Sequence, residues 1–148
     1  MNDWERDAEA IRAAHPRHIL FLCVANSARS QMAEGIARSL APMGVKVSSA
    51  GSAPSKLNPL AVSALAEVGI DAAGQYSKSV SDIPLDDVDV VITLCADEVC
   101  PVFLGKARRF HWGLADPAGV DGDEAARFAA FKQVRDELRR RLQALFRS

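Results

Sequence analysis

Hydrophobic residues along the chain follow two alternating patterns, continuous apolar runs and apolar positions at helical spacing. The continuous runs predict strands that are covered on both faces, at residues 18–24, 45–49, 88–94 and, more weakly, 107–112. The helical spacing predicts helices at about residues 30–40, 58–68 and 123–146. Four strands that alternate with helices indicate the α/β class, with an open, mostly parallel four-stranded sheet flanked by helices.

Residues 1–16 precede this alternation. Trp4, Ala8 and Ile11 stand at helical spacing, and Pro16 ends the segment before the first predicted strand. We therefore expect an N-terminal helical extension over residues 1–16 and a single domain over residues 17–148. We also expect the protein to be a monomer.

Composition excludes several classes of partner. The chain has 148 residues, of which 49% are hydrophobic, and this suffices for the core of one domain. Its 18 basic and 19 acidic residues give a formal net charge of −1, which creates no general attraction for nucleic acid or anionic lipid. No apolar run approaches the roughly 20 residues of a membrane-spanning helix, and the charged N-terminus does not resemble a secretory signal. We therefore predict a cytoplasmic protein with neither nucleic-acid nor membrane partners.

The strongest chemical signal lies between the first predicted strand and the helix that follows it. Cys23 ends the strand, and Arg29 and Ser30 begin the helix. The loop between them consists of Val24, Ala25, Asn26, Ser27 and Ala28. Unpaired N–H groups at a helix N-terminus attract an anion, and a guanidinium binds two of its oxygens at once. The same field favours the thiolate form of Cys23, and Ser30 is placed to donate a hydrogen bond to the sulfur. The pattern predicts a nucleophilic thiol in a tetrahedral oxyanion site, and the alternative is a buried cysteine that only packs.

Two further cysteines bear on what the thiol does. Cys95 ends the third predicted strand, and Cys100 follows five residues later. Because ligands of open parallel sheets bind beyond the carboxyl ends of the strands, we expect Cys23 and Cys95 at the same edge of the sheet. Three cysteines in a chain without a secretory signal indicate chemistry rather than a disulfide framework. Two cysteines without a nearby histidine do not complete a four-ligand zinc site, so we expect no bound metal.

Four segments of the chain resemble proteins of the low-molecular-weight tyrosine phosphatase fold and, more narrowly, the thioredoxin-coupled arsenate reductases built on it. These segments are residues 23–35, 49–51, 91–101 and 111–118. The resemblance extends from about residue 17 to the C-terminus. It implies a flavodoxin-like three-layer fold, reduction of arsenate to arsenite in arsenic detoxification, and no bound cofactor. Phosphate or sulfate would then compete with arsenate for the site.

The resemblance also implies a relay of three cysteines. Cys23 attacks arsenate, Cys95 attacks the sulfur of Cys23 and releases arsenite, and Cys100 resolves the resulting disulfide. Thioredoxin then reduces the Cys95–Cys100 disulfide. Four residues separate Cys95 from Cys100, fewer than in the thioredoxin-coupled reductases, so glutathione with glutaredoxin stays open as the electron donor.

The pair Asp116 and Pro117 resembles the loop that supplies the general acid of the phosphatases. There an aromatic residue follows and flanks the substrate ring, whereas this chain has Ala118, which favours a small inorganic substrate. Asp116 would protonate a leaving oxygen, or it would merely form a turn before the proline. A low-molecular-weight phosphatase whose extra cysteines protect Cys23 is the main alternative function, and a sensor of oxyanions or redox state is the third. We expect weak phosphatase activity in any case, because phosphate and arsenate are nearly isosteric.

Some reductases of this family hold potassium near the loop through an asparagine, a glutamate, a serine and an aspartate. Asn26, Glu34 and Ser49 match three of these positions, and Lys78 stands at the fourth. An ammonium group there would repel a cation and pair with Glu34. We therefore expect no dependence on potassium.

Overall fold

The computed structural model describes residues 2–84, 86–96, 101–103 and 105–147. In chain order the elements are α1 (Asp3–Ala14), β1 (His18–Cys23), α2 (Arg29–Leu40), β2 (Lys46–Gly51), α3 (Pro59–Glu67), β3 (Val90–Thr93), β4 (Arg108–His111) and α4 (Glu124–Leu145). Short 3-10 turns at Val80–Asp82 and Pro117–Gly119 were not predicted. Every predicted strand and helix is present, with ends that differ by one or two residues. In the described part of the chain, no helix is long and apolar enough to cross a membrane.

The four strands form one parallel sheet in the order β2-β1-β3-β4. All six residues of β1 are buried, as its continuous apolar run predicts for a central strand. Leu22 of β1 lies beside Thr93 of β3, so the carboxyl ends of these two strands are level. The predicted open parallel sheet is confirmed.

Two apolar clusters cover the two faces of the sheet. The larger joins inward-facing strand residues, such as Phe21, to residues of all four helices, such as Leu138 of α4. The smaller packs Leu22 and its neighbours against Phe103. Successive strand residues therefore point into different clusters, as the pleat of a strand requires.

Side-chain caps explain where three of the helices begin. Asn2 forms a capping box with Glu5 at the start of α1, and Asn58 and Asp123 cap α3 and α4. The residue before α2, Ala28, provides no side-chain cap. No capping side chain therefore occupies the first N–H groups of α2, and an anion is a suitable partner for them.

The N-terminal helix α1 packs on α4 and on the segment after β4. Ala8 and Ile11 are buried, and the ring of Trp4 meets the ring of Trp112 edge to face at 6.3 Å. Arg12 donates a hydrogen bond to the carbonyl of Ala144 in α4. The helical pattern of residues 1–16 therefore reflects burial of one face of α1.

Candidate active site

A small pocket lies at the carboxyl end of β1, where the sequence predicts an oxyanion site. Its volume is about 190 Å³, whereas pockets for drug-sized ligands hold about 300–1,000 Å³. The lining residues are Cys23, Val24, Ala25, Ser27, Ala28, Arg29 and Asp116. The pocket therefore suits a small anion better than a bulky organic group.

The loop between β1 and α2 is held from its outer side by backbone hydrogen bonds. The carbonyl oxygens of Val24, Ala25 and Ser27 accept from the N–H groups of Ala53, Ser55 and Asn58, at 2.9, 3.1 and 3.0 Å. Because these carbonyls face the surrounding segments, the opposite N–H side of the loop turns toward the pocket. Consecutive N–H groups that face one point form a binding site for an anion.

Asn26 fixes the conformation of this loop from within. It is buried and has a φ of 50°, a left-handed conformation that asparagine tolerates better than most residues. Its side-chain nitrogen donates to Ser30 Oγ at 2.8 Å and to Ser49 Oγ at 3.0 Å. Its side-chain oxygen accepts from the Lys78 N–H at 2.8 Å. Asn26 therefore braces the pocket and does not line it.

Cys23 is a free thiol with 2% of its surface exposed. Its sulfur lies 2.8 Å from Ser30 Oγ. Either group can donate while Cys23 is a thiol, but a thiolate has no hydrogen, so Ser30 is then the donor to the sulfur. A hydroxyl that donates to sulfur stabilises a thiolate, which is the nucleophilic form of cysteine.

The guanidinium of Arg29 is buried and anchored to two neighbouring segments. Its Nη1 donates to the carbonyl of Leu114 at 2.9 Å and to the carbonyl of Leu94 at 3.3 Å. Its Nη2 lies 3.9 Å from Oδ2 of Asp116. These contacts hold the positive charge at the pocket, in reach of a bound oxyanion.

Asp116 forms the turn that the sequence suggests and also lines the pocket. Its Oδ1 accepts from the Ala118 N–H at 3.0 Å and begins the 3-10 turn Pro117–Gly119. Its Oδ2 faces Arg29 across the pocket, and 46% of the side chain is exposed. A carboxyl that is fixed through one oxygen and reaches solvent with the other is well placed to transfer a proton.

Cys95 is buried and lies two residues beyond β3, at the same edge of the sheet as Cys23. The Leu94 N–H donates to the Leu22 carbonyl at 2.9 Å, so the residues directly before the two cysteines are hydrogen-bonded partners. Cys95 is disulfide-bonded, whereas Cys23 is free. Cys100, the third cysteine of the predicted relay, lies outside the described residues.

Glu34 is a buried carboxylate behind the loop that pairs with two cations. Its Oε1 accepts from Ser49 Oγ at 2.7 Å and lies 3.4 Å from Lys78 Nζ. Its Oε2 pairs with Arg38 Nη2 at 3.0 Å. Lys78 thus lies beside Glu34 as an ammonium partner, in the arrangement that the sequence suggests.

Two supporting residues were missed by sequence reasoning. The Gln31 side-chain nitrogen donates to the Asn26 carbonyl at 3.1 Å and to the Tyr76 carbonyl at 2.8 Å. Gly51 ends β2 so close to the loop that a Cβ there would lie 2.3 Å from the Val24 carbonyl oxygen. Gln31 lies among the apolar positions of a predicted helix, and this was the sequence feature from which its supporting role could have been inferred.

The last residue of β4 and the residue after it differ in burial. Trp112 is buried. His111 is exposed, with Nδ1 2.6 Å from Thr93 Oγ1. The reason is that β4 is an edge strand, which leaves part of its surface in solvent.

Residues 18–148 match the family described as low molecular weight phosphotyrosine protein phosphatase. The chain belongs to this family. The arsenate reductase of Bacillus subtilis strain 168 is 46% identical to this chain over 126 residues, which cover 84% of this chain and 91% of that protein. A solved structure of an arsenate reductase in the phosphate binding state superimposes with a TM-score of 0.73 at 36% identity, covering 88% of this chain and 96% of that one. A thioredoxin-dependent arsenate reductase of Corynebacterium glutamicum superimposes with a TM-score of 0.61 at 26% identity, covering 95% of this chain and 69% of that one.

Proposed function

We propose that this protein reduces arsenate to arsenite in arsenic detoxification. The observation that carries the proposal is the placement of two cysteines at one edge of the sheet. Cys23 lies in an anion-sized pocket with Arg29, and Cys95 follows the adjacent strand. A phosphatase needs only the first of these thiols, because water regenerates it. The similarity to named arsenate reductases supports the same reaction.

In the first step, arsenate binds to the N–H groups of the loop and to Arg29. The Cys23 thiolate attacks arsenic, and one oxygen leaves as water with a proton from Asp116. Arsenic stays in its pentavalent state, so this step transfers no electrons. The guanidinium of Arg29 is buried, so its attraction for the anion is stronger than that of an exposed cation, because the effective dielectric constant is lower there.

In the second step, the Cys95 thiolate attacks the sulfur of Cys23. The electron pair of the sulfur–arsenic bond passes to arsenic, which leaves as trivalent arsenite, and a Cys23–Cys95 disulfide forms. The two thiols therefore supply the two electrons of the reduction. The level ends of β1 and β3 support this step, because they bring both cysteines to one edge.

In the third step, Cys100 attacks Cys95 and releases the Cys23 thiolate for another cycle. An oxidised Cys95 beside a free Cys23 is the redox state expected at the end of this relay. Thioredoxin then reduces the remaining disulfide. The thioredoxin-dependent relative from Corynebacterium glutamicum supports this donor, and glutathione with glutaredoxin is the alternative.

The test combines chemical quenching with mass spectrometry. The reduced protein is incubated with one equivalent of arsenate, alkylated, and mapped. We expect one arsenite per protein with a Cys95–Cys100 disulfide, a trapped Cys23–Cys95 disulfide in Cys100→Ser, and no arsenite in Cys23→Ser. Unchanged arsenate with three alkylated cysteines would contradict the proposal. Steady-state turnover with thioredoxin and its reductase, against glutathione with glutaredoxin, identifies the donor.

A phosphatase is the second candidate, because the family is named for that activity and Asp116 faces the pocket. Hydrolysis of an aryl phosphate at a higher kcat/KM than arsenate reduction would favour it. We expect only weak hydrolysis, with phosphate and sulfate as competitive inhibitors of arsenate reduction. A monomeric state and a cytoplasmic location belong to the proposal and stay predictions from the sequence.

A further inference from the structure

The buried indole of Trp112 links α1 to the residues that follow β4. Its Nε1 donates to Oδ2 of Asp7 at 3.2 Å, and its ring meets Trp4 edge to face. A buried indole N–H needs an acceptor, and here α1 provides that acceptor as well as an aromatic neighbour. Because the family match begins at residue 18, Asp7 and Trp4 lie outside the matched residues, whereas Trp112 lies within them.

Leu114, two residues after Trp112, contacts the active site. The backbone N–H of Trp112 donates to Thr93 at 2.8 Å, and that of Leu114 donates to Leu94 at 3.1 Å. The Leu114 carbonyl in turn accepts from Arg29 Nη1 at 2.9 Å. The segment 112–114 therefore joins α1 to the guanidinium of the pocket.

Gly113 shows how tightly this segment is packed against the second thiol. A Cβ at Gly113 would lie 2.8 Å from the carbonyl oxygen of Cys95. The segment has little room to adjust on that side, since a backbone oxygen does not move as the tip of a side chain does. Gly113 therefore leaves little room on that side to absorb a displacement of Trp112.

We infer that α1 is a positioning element of the active site, in which Asp7, through Trp112, fixes the Leu114 carbonyl that orients Arg29. Without the carboxylate of Asp7, the indole loses the hydrogen bond that holds its ring against α1. The Leu114 carbonyl then shifts, and the guanidinium loses the orientation needed to bind two oxygens of the anion. The inference rests on the proposed function only in naming arsenate as the substrate, because binding of phosphate reports on the same anion site.

The experiment compares three substitutions on one helix. Asp7→Ala removes the acceptor, Asp7→Asn keeps an oxygen that accepts from the indole, and Glu9→Ala changes an exposed acid of the same helix as the control. Phosphate affinity is measured by calorimetry, and KM and kcat for arsenate by steady-state turnover. Misplacement of a positioning group costs up to about 100-fold, and for this indirect contact we expect Asp7→Ala to raise the phosphate Kd and the arsenate KM about fivefold. We expect Asp7→Asn and Glu9→Ala to stay within about twofold of the parent protein, since neither removes an acceptor from the indole.

A second variant separates positioning from folding. Trp112→Phe keeps a buried ring but has no N–H, so it should weaken phosphate binding as Asp7→Ala does. In that background Asp7→Ala should weaken binding no further, because the two residues act through one contact. Lowered melting temperatures with an unchanged phosphate Kd would overturn the inference, as would additive effects of the two substitutions. Phosphate binding that responds as expected in a protein unable to reduce arsenate would contradict the proposed function and leave this inference standing.

Discussion

Lys78 offers a sharp test of how the loop is supported, because methionine can replace its charged end and keep most of its apolar length. Its Nζ lies 3.4 Å from Oε1 of Glu34, and the two side chains are only 12% and 3% exposed. At that separation the attraction is about 5 kcal/mol for an effective dielectric constant of about 20. Lys78→Met keeps most of the apolar length of the side chain and removes this attraction, together with the hydrogen bond from Nζ to the Tyr76 carbonyl at 2.9 Å. The bond from the Lys78 backbone N–H to Asn26 is unaffected.

The net loss of stability should be smaller than the Coulomb term. Arg38 still pairs with Glu34 at 3.0 Å, and methionine does not carry the desolvation cost of an ammonium group. Removal of one partner from a buried pair costs about 3–5 kcal/mol when the other charge is left alone. Because Glu34 keeps Arg38, we expect a loss of about 2 kcal/mol, which corresponds to a decrease in melting temperature of about 4–8 °C.

The assay is unfolding in urea at pH 7.5, with the free energy of unfolding extrapolated to water. Lys46→Met is the matched control, because Lys46 lies 3.8 Å from Asp87 with both side chains more than half exposed. An exposed pair contributes about 0–1 kcal/mol, so the control should lose less than about 0.5 kcal/mol. Equal losses in the two variants would refute the reasoning that burial makes the Glu34–Lys78 pair important.

Three further predictions concern the thiol, a buried histidine and cations. Ser30→Ala removes the hydroxyl that lies 2.8 Å from the sulfur of Cys23. Because a hydrogen bond to a charged group contributes about 1.5–3 kcal/mol, alkylation of Cys23 at pH 7 should slow by about tenfold or more. An unchanged alkylation rate would contradict the role of Ser30 as the donor to the thiolate. Burial, together with the positive charge of Lys46, lowers the pKa of His18. The folded protein therefore binds fewer protons at His18 than the unfolded chain does. Its stability should fall as the pH drops below about 6.5. His18→Asn should lack this component and show a flatter profile between about pH 6.5 and 5 in urea unfolding, whereas identical profiles would rule it out. Because Lys78 lies beside Glu34, the melting temperature should be the same in potassium and sodium at equal ionic strength, and a clear increase in potassium would refute this.

The sequence predicts the sheet well because its signals are local. The continuous apolar run of β1 requires burial on both faces, and this makes β1 a central strand and places Cys23 at a carboxyl end. β4 is harder to read, because an edge strand such as residues 108–111 is only partly buried and its pattern is weak. The exposure of His111 follows from that edge position, which depends on the strand order and not on the neighbouring sequence.

The chemistry of the loop can also be predicted from the sequence, but the contacts that hold the loop and Arg29 in place cannot. The spacing of Cys23, Arg29 and Ser30 predicts that a thiol, a cation and a hydrogen-bond donor surround one loop. The contact of Trp112 with Asp7 joins residues 105 positions apart, and neither segment has a sequence pattern that predicts the contact. Such long-range contacts depend on how the helices pack, which periodicity alone does not determine.

The close approach at Gly51 has a consequence for how this pocket changes under mutation. In a saturation scan we expect every replacement of Gly51 to impair the protein, because the nearest atom is the Val24 carbonyl and no side chain can move aside. Gly74 has open space around it and should accept many residues in the same scan. The loop that forms the pocket is thus supported at Gly51 by backbone against backbone, and no side-chain exchange relieves that contact. New oxyanion preferences are therefore expected to arise at Asp116, which lines the pocket with a side chain that is 46% exposed.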